Sequence, residues 1–222
     1  MGYNTNNYNK QGGKEKVING EVSIAGSVYH GDKDNNNYST FENDGTLVFL
    51  GDAIVWKDIN IGGASLTRQP NKQPDLIDID NTDVKTYAFD GTSSEEELHG
   101  GFELQHDYKE GTAIRPHGHF YPTTADAGDF KIFLDYWIIL DKVISGTTSS
   151  IVSTNETAWE QLAFEFDDEI QDNDLGIGAQ IHFKIYRDPS DNEDTYGADV
   201  AIGTVGIHYE IDTIGSRGVF QK

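Results

Sequence analysis

Short runs in which apolar and polar residues alternate recur along the chain, with Gly, Asn and Asp between them. Sustained helical periodicity is nearly absent. Alternation with a period of two places successive side chains on opposite faces of a strand, so the pattern predicts an all-β protein built mostly from antiparallel strands. Because the runs are short and separated by turn residues, they favour a jelly-roll-like antiparallel β-sandwich.

The strength of the alternation differs between segments. Segments 114–120 and 180–187 alternate cleanly, as expected for strands with one buried face. Segment 130–140, FKIFLDYWIIL, is apolar on almost both faces, which predicts a central strand covered on both sides. Segment 46–62 is predicted to form two strands broken at a Gly-Asp pair, and segment 31–45 a polar loop. Core positions are expected for the three tryptophans, which lie in strand-like runs: Trp56, Trp137 and Trp159.

The N-terminal part differs from the rest in composition. Residues 1–16 are polar and rich in Asn, which predicts an extended arm, and Asn19-Gly20 predicts a tight hairpin after it. The segment LTRQPNKQPD (66–75) contains two prolines and is the best candidate for a boundary. We therefore expect an arm-and-hairpin region over residues 1–65 and a jelly-roll-like β-sandwich domain over residues 66–222.

Charge and cysteine content exclude several functions. The 222 residues include 38 Asp and Glu against 16 Lys and Arg, which gives a formal net charge of −22. A chain this acidic is repelled by phosphate backbones and anionic lipid headgroups, so neither nucleic acid nor a membrane is expected as a partner. There is no cysteine, which excludes disulfides, thiolate metal sites and cysteine nucleophiles.

Candidate chemistry concentrates in the stretch EGTAIRPHGHFYPTT (110–124). Arg115, His117 and His119 stand at every second position and share one face of a predicted strand. One interpretation is a polar strand face at or near a subunit contact, which we favour. Another is a ring of three imidazoles on the axis of a homotrimer, able to bind one Zn²⁺ or Ni²⁺ ion.

A third interpretation is a cupin-like metal site. Gly111 and His117-Gly118-His119 match the start of the cupin pattern, a glycine followed after five residues by His-x-His. However, no carboxylate follows, and Pro122 is expected to end the strand. The later histidine of that pattern would have to be His182 or His208.

The other motifs in the sequence do not indicate a specific metal site or catalytic site. The loop DKDNNN (32–37) begins like a calcium loop but lacks its glycine and its final glutamate, so we expect solvated turns with at most adventitious Ca²⁺. The nucleophile elbow, the zinc-protease helix motif, the P-loop and the dinucleotide fingerprint are absent from the sequence. No catalytic residue, no dedicated metal site and no cofactor is therefore predicted.

Two stretches resemble virion proteins of tailed bacteriophages. Segment 8–24, YNKQGGKEKVINGEVSI, resembles the N-terminus of head fibre and capsid decoration proteins in its Gln11-Gly12-Gly13 and in 17–22. Segment 104–124, LQHDYKEGTAIRPHGHFYPTT, resembles a recurrent virion stretch in residues 106–112 and 116–120. In that stretch Gly118 replaces the usual apolar residue and Phe120 the usual tryptophan.

The resemblance implies a virion structural protein with a β-sandwich, commonly trimeric. We therefore expect a non-enzymatic head decoration or head-fibre protein on the capsid exterior, made in the host cytoplasm, with the major capsid protein or another virion protein as partner. The expected docking residues are Tyr3, Tyr8, Gln11, Gly12 and Gly13. The alternatives are a collar, neck or tail-fibre component, a module that binds host glycans through exposed tyrosines, and a cupin-like metal enzyme.

Overall fold

The computed structural model describes residues 28–42, 45–92, 94–171, 175–216 and 218. The predicted arm, the hairpin at Asn19-Gly20 and the docking residues Tyr3, Tyr8 and 11–13 lie outside the described residues. In the described part the regular structure is strand apart from two short 3₁₀ turns, which confirms the all-β prediction. No helix within these residues is long and apolar enough to cross a bilayer.

Fourteen strands lie in the described part of the chain: β1 (Val28–Asp32), β2 (Asn37–Phe41), β3 (Leu47–Leu50), β4 (Val55–Gly62), β5 (Thr67–Arg68), β6 (Asp75–Asp78), β7 (Lys85–Phe89), β8 (Glu96–Glu103), β9 (Arg115–Pro122), β10 (Asp129–Ile139), β11 (Val143–Ser153), β12 (Leu162–Glu165), β13 (Gln180–Arg187) and β14 (Val200–Ile211).

These strands form three antiparallel sheets. The first sheet has the order β11-β10-β13-β8-β5, and the second has the order β12-β9-β14-β7-β6 with β4 also paired to β14. The third is a small sheet of β1, β2 and β3. Neighbours that are far apart in sequence, such as β9 and β14, show that the chain crosses repeatedly between the two large sheets. The predicted jelly-roll-like β-sandwich is confirmed.

The core lies between the inner faces of the first and second sheets. Alternate residues of the central strands are buried there, including Ile132 of β10, Ile185 of β13 and Ile207 of β14. The two faces meet through aromatic rings, since Phe120 of the second sheet packs 6.1 Å from Phe130 of the first, centroid to centroid. Burial of apolar surface on this scale is the main favourable contribution to folding.

A buried ion pair organises the loop between β13 and β14. Arg187, which is 0% exposed, donates from Nε and Nη2 to the two carboxylate oxygens of Asp194, both at 2.8 Å. The same guanidinium donates to the carbonyls of Tyr196 and Ala198. The Lys131 amide donates to Asp194 at 3.1 Å. The charges are therefore surrounded by partners, which is the condition under which a buried pair is tolerated.

Two predictions about individual segments are wrong. Segment 31–45 is not a polar loop, because β1 and β2 pair across a turn at 33–36 in which Asn36 has a φ of 55°. The strand β10 is not covered on both sides: its even-numbered residues are buried except for the partly buried Tyr136, whereas Trp137 and Ile139 are exposed on the outer face. Its partner β11, a Ser- and Thr-rich strand, was not predicted from the pattern.

The predicted boundary at residue 65 cuts through the second sheet. Strand β4 precedes the boundary, yet it pairs with β14 over eight residue pairs, from Val55–Ile211 to Gly62–Thr204. The small sheet also joins this end of β14, because the Phe49 amide donates to the Asp212 carbonyl at 2.7 Å. Residues 55–65 therefore belong to the sandwich.

Candidate functional site

A compact turn precedes strand β9 and sets where that strand begins. The Tyr108 side chain is fully buried, and its hydroxyl donates to the Thr112 carbonyl. Thr112 Oγ1 donates to the Lys109 carbonyl at 2.8 Å. Gly111 has a φ of +84°, in the left-handed region that favours glycine. The residues that open the stretch 104–124 therefore form a closed turn.

The same turn is attached to β14. The Lys109 amide donates to the Glu210 carbonyl at 2.8 Å, and its ammonium reaches the Glu210 carboxylate at 3.0 Å. Asp107 is buried and accepts hydrogen bonds from the Tyr209 hydroxyl at 3.0 Å and from the Lys57 ammonium. These contacts join the turn to β14 and β4, so the three strands are aligned at this end.

A bulge in β14 sets the register of its pairing with β9. The pairing shifts between Ile202 and Thr204, and Gly203 occupies the bulge, where an added Cβ would meet the Tyr121 ring at 2.7 Å. Beyond the bulge, Gly206 pairs with His117 and His208 pairs with Arg115. Directly paired residues share a face of the sheet, so these four side-chain positions face outward together.

Three strands contribute ligand atoms to one cluster on this outer face. Asp58 of β4 pairs directly with His208 of β14, with Oδ1 3.2 Å from Nε2. The same oxygen lies 3.6 Å from Nε2 of His117. The ligand atoms of Asp58, His117 and His208 all lie within 4.8 Å of one another. We call these three residues the outer cluster.

The two imidazoles of the outer cluster lie face to face. Their ring centroids are 4.0 Å apart and their planes differ by 11°. The His117 side chain is buried although it points away from the core, and Gly206 makes this possible: a Cβ there would meet His117 Cε1 at 2.5 Å. His117 therefore lies flat on the sheet, with the ring of His208 stacked on it.

Burial determines the charge of His117. Loss of solvent lowers its pKa well below the usual range for histidine, the His208 imidazole adds to the effect, and Asp58 opposes it. His117 is therefore neutral near pH 7 and offers a lone pair rather than a positive charge. Its Nε2 lies 3.1 Å from Asn60 Oδ1, while its Nδ1 is buried on the side of the Arg115 backbone.

Arg115, His117 and His119 share the outer face of β9, but each has different partners. His119 is partly exposed, its ring lies 5.5 Å from His117, and its Nδ1 contacts Gln161 at 2.6 Å rather than the cluster. Arg115 lies over the Trp56 ring at 4.9 Å and pairs with Glu169 at 2.7 Å. His117 is buried, whereas Arg115 and His119 are partly exposed.

Two members of the outer cluster, Asp58 and His208, could not be assigned to it from the sequence. Asp58 and His208 both lie in alternating segments, so their outward direction could be inferred, but nothing in the sequence shows that β4 and β14 are neighbours of β9. His208 and His182 were the two candidates for the later histidine of the cupin pattern, and they lie on different sheets: His208 is on β14 of the second sheet. His182 lies on the first sheet, paired with Trp137 and Gly101.

Tryptophan positions also differ from expectation. Trp56 and Trp137 are 48% and 36% exposed, one on each outer face, so the expected core positions are wrong for both. Trp159 lies outside the strands, is partly buried and has a φ of 64°. Large aromatic side chains left in solvent mark surfaces that can bind another molecule.

The outer face of the first sheet is built differently. Phe133 and Tyr186 stack with centroids 4.9 Å apart, and the Lys184 ammonium lies 4.0 Å above the Tyr186 ring. Lys184 also pairs with Asp135 at 2.8 Å. Trp137 lies at the next outward position along β10. This face is an aromatic platform with one ion pair across it.

Comparison with known proteins adds little beyond the fold. No protein-family model matches the chain, and no curated protein matches it. Among similar solved structures, the CBM36-1 domain of a multidomain xylanase from the hindgut metagenome of Trinervitermes trinervoides is 13% identical (TM-score 0.39; 73% of this chain and 100% of that chain). A module for mannan recognition, TmCBM27, is 13% identical (TM-score 0.35; 70% and 98%).

A viral protein is also similar in fold. The structure from the infectious bursal disease virus Gx strain is 10% identical, with a TM-score of 0.35, and the match covers 75% of this chain and 34% of that chain. Likenesses this weak concern the arrangement of strands, so no ligand or partner is transferred from any of these proteins.

Proposed function

We propose that this chain is a non-enzymatic virion structural protein of a tailed bacteriophage, a decoration or fibre protein of the head. One observation carries the proposal: the stretch that resembles virion proteins coincides with a folded unit. Asp107, Tyr108 and Thr112 hold the turn, and Phe120 is buried in the core. The residues that carry the resemblance are therefore the residues that form this turn and anchor β9 in the core.

The proposed mode of attachment is docking by the N-terminal region. Tyr3, Tyr8 and the Gln11-Gly12-Gly13 segment would contact the major capsid protein or another virion protein on the capsid exterior. The sandwich would then project outward, most simply as a homotrimer with Arg115 and His119 near the subunit contact. The net charge of −22 would limit association between neighbouring particles and would repel anionic polymers.

Co-sedimentation with phage heads tests the docking role. Heads assembled without this chain are mixed with the purified full chain or with a variant that lacks residues 1–25, and bound protein is measured after gradient centrifugation. We expect the full chain to bind at saturating occupancy and the truncated variant to stay unbound, with unchanged oligomeric mass and unfolding midpoint.

Two further variants make this experiment specific. The Tyr3→Ala/Tyr8→Ala variant should weaken binding to heads, because the aromatic anchors are removed. The Trp137→Ala variant changes an exposed aromatic far from the arm in sequence and should bind heads normally. Full occupancy by the truncated variant would contradict the docking role, and failure of the full chain to bind heads would contradict the head assignment.

A second candidate is a module that binds host glycans. The aromatic platform favours it, because Trp137 is exposed on the same face of the sheet as the Phe133–Tyr186 stack and a Lys–Asp pair. Sugar rings pack their apolar faces on such side chains. Of the described tyrosines only Tyr29 exceeds 40% exposure, so tryptophan rather than tyrosine would serve. Binding to a glycan array that is lost in Trp137→Ala would support this candidate over head docking.

A further inference from the structure

The outer cluster has the composition of a transition-metal site. Two imidazoles and one carboxylate are the ligands that Zn²⁺ and its neighbours in the first row prefer, whereas Ca²⁺ and Mg²⁺ prefer oxygen ligands alone. The three residues come from three adjacent strands, β4, β9 and β14, so their Cα positions are held by the sheet. This chemistry is independent of where the protein sits on a particle.

We propose that Asp58, His117 and His208 bind one Zn²⁺ ion within a single chain, a site that goes beyond the proposed structural function and does not depend on it. Bond lengths of about 2.0–2.2 Å in a tetrahedral zinc site place neighbouring ligand atoms about 3.4 Å apart. The measured separations are 3.2 Å from Asp58 Oδ1 to His208 Nε2 and 3.6 Å from Asp58 Oδ1 to His117 Nε2. The carboxylate thus stands at tetrahedral spacing from both imidazoles.

Surrounding side chains complete the arrangement. Asn60 Oδ1 lies 3.1 Å from His117 Nε2, at a spacing suited to a fourth oxygen ligand. Glu165 Oε1 lies 3.5 Å from His208 Nδ1, on the side of the ring opposite the ligand nitrogen. A carboxylate there orients a metal-bound histidine and keeps the proton on the nitrogen that does not bind metal.

The ion requires one local movement. Stacked parallel rings direct their lone pairs side by side, so one imidazole must turn about χ2 for both nitrogens to meet the ion. His208, whose side chain is 32% exposed, has the room, whereas His117 is held against Gly206. With Nε2 of His117 on the metal, the proton moves to the buried Nδ1, on the side of the Arg115 backbone.

His117 cannot belong to a ring of three imidazoles on the axis of a homotrimer. A ring on a three-fold axis needs an imidazole that projects from the subunit, and His117 is 2% exposed within its own chain. His119 is partly exposed and could serve such a ring. The two arrangements therefore predict different stoichiometry and different sensitive residues.

Metal titration of the full chain tests the proposal. The protein is stripped with a chelator, ZnCl₂ is added, and binding is followed by calorimetry and by the unfolding temperature, with Co²⁺ as a spectroscopic probe. We expect one ion per chain, a rise in unfolding temperature that saturates with Zn²⁺, and a tetrahedral Co²⁺ spectrum. His208→Ala and Asp58→Asn should each weaken binding by at least about tenfold, and Glu165→Gln by about tenfold.

Matched variants on the first sheet serve as controls. His182→Ala and Asp135→Asn change an outward histidine and an outward carboxylate that lie outside the cluster, and they should bind Zn²⁺ like the parent. Each of three outcomes would overturn the proposal: no Zn²⁺ binding by the stripped protein, one ion per three chains lost in His119→Ala, or an equal rise in unfolding temperature with Ca²⁺. None of these outcomes bears on docking to heads.

Discussion

Two polar clusters in this protein differ in burial and in the partners of their polar groups. Around Arg187 and Asp194 the guanidinium and the carboxylate are almost fully buried, and their hydrogen bonds go to each other and to backbone groups. In the outer cluster, His117 is just as buried, but its Nε2 faces the carboxylate of Asp58, which stays 45% exposed.

The difference separates a structural arrangement from a binding one. A buried polar group with a full set of partners has nothing left to offer a ligand, and it makes one loop conformation strongly preferred. Two imidazole nitrogens that face one partly exposed carboxylate, Nε2 of His117 and Nε2 of His208 beside Asp58, retain binding capacity that folding alone does not use.

The largest difference is expected between two aspartates. Asp194→Ala leaves Arg187 buried without its counter-ion and should lower the free energy of unfolding by about 3–5 kcal/mol. Asp58→Ala, in chelator-treated protein, removes an exposed partner and should cost less than about 1 kcal/mol. Urea unfolding at neutral pH measures both values.

A double variant tests whether the loss comes from the buried charge that is left without a partner. Arg187→Met/Asp194→Leu removes both charges and should lose less free energy of unfolding than Asp194→Ala alone, because no charge stays buried without a partner. A loss under about 1 kcal/mol for Asp194→Ala would contradict the structural role assigned to the pair.

An intermediate effect is expected at two glycines that face histidines. Gly206→Ala places a Cβ 2.5 Å from His117 Cε1 and 2.7 Å from the Ile59 carbonyl oxygen, so it should cost about 1–3 kcal/mol of unfolding free energy. Gly101→Ala on the first sheet meets His182 Nδ1 and the Ile181 oxygen at 3.2 Å each and should cost clearly less. Equal thermal stability of the two variants would show that His117 does not lie flat on the sheet.

The smallest effect concerns pH and a carboxylate beside the Arg187 network. Glu96 pairs with Arg187 in the sheet, but the guanidinium is engaged by Asp194 and two carbonyls. Burial, and to a lesser degree Asp90, Asp75 and Asp199, raise the pKa of Glu96 from 4.5 to about 7, so the folded protein holds a proton that the unfolded chain releases. The contribution of Glu96 to stability is therefore present below pH 4.5 and is lost as pH rises to about 7.

The substitution Glu96→Gln isolates this contribution. The variant cannot ionise, so the fall in unfolding free energy between pH 5 and pH 8 should be smaller than in the parent. Glu103→Gln, on the exposed end of the same strand, is the matched control and should leave the slope unchanged. An unchanged slope in Glu96→Gln would show that this carboxyl titrates normally in the folded protein.

Most strands of the sandwich were predictable because their alternation is local. Segments 114–120 and 180–187 show it clearly, and the break at Gly51-Asp52 was found between β3 and β4. Strand β11 was missed because its Ser- and Thr-rich sequence has few apolar residues, and it is recognisable only through its pairing with β10. The two exposed faces of β10 and β4 were misjudged because an aromatic residue in a strand-like run does not show which side is covered.

The candidate site was predictable only in part. Arg115, His117 and His119 were correctly placed on one face of one strand, yet the residue that stacks on His117 is His208 and not His119. That contact depends on the bulge at Gly203, on the closed turn at Tyr108, and on the arrival of β4 beside β14. None of these has a signal within the stretch itself.

The sequence by itself determined the all-β class, the inward and outward faces of most strands, and an acidic surface, because alternation and charge are properties of neighbouring residues. Only the tertiary structure decided which outward residues meet. Asp58 and His208 are 150 positions apart in the numbering, and they face each other because antiparallel pairing of β4 with β14 fixes that register. Contacts between distant strands depend on how the whole chain packs, so the outer cluster is a property of the fold.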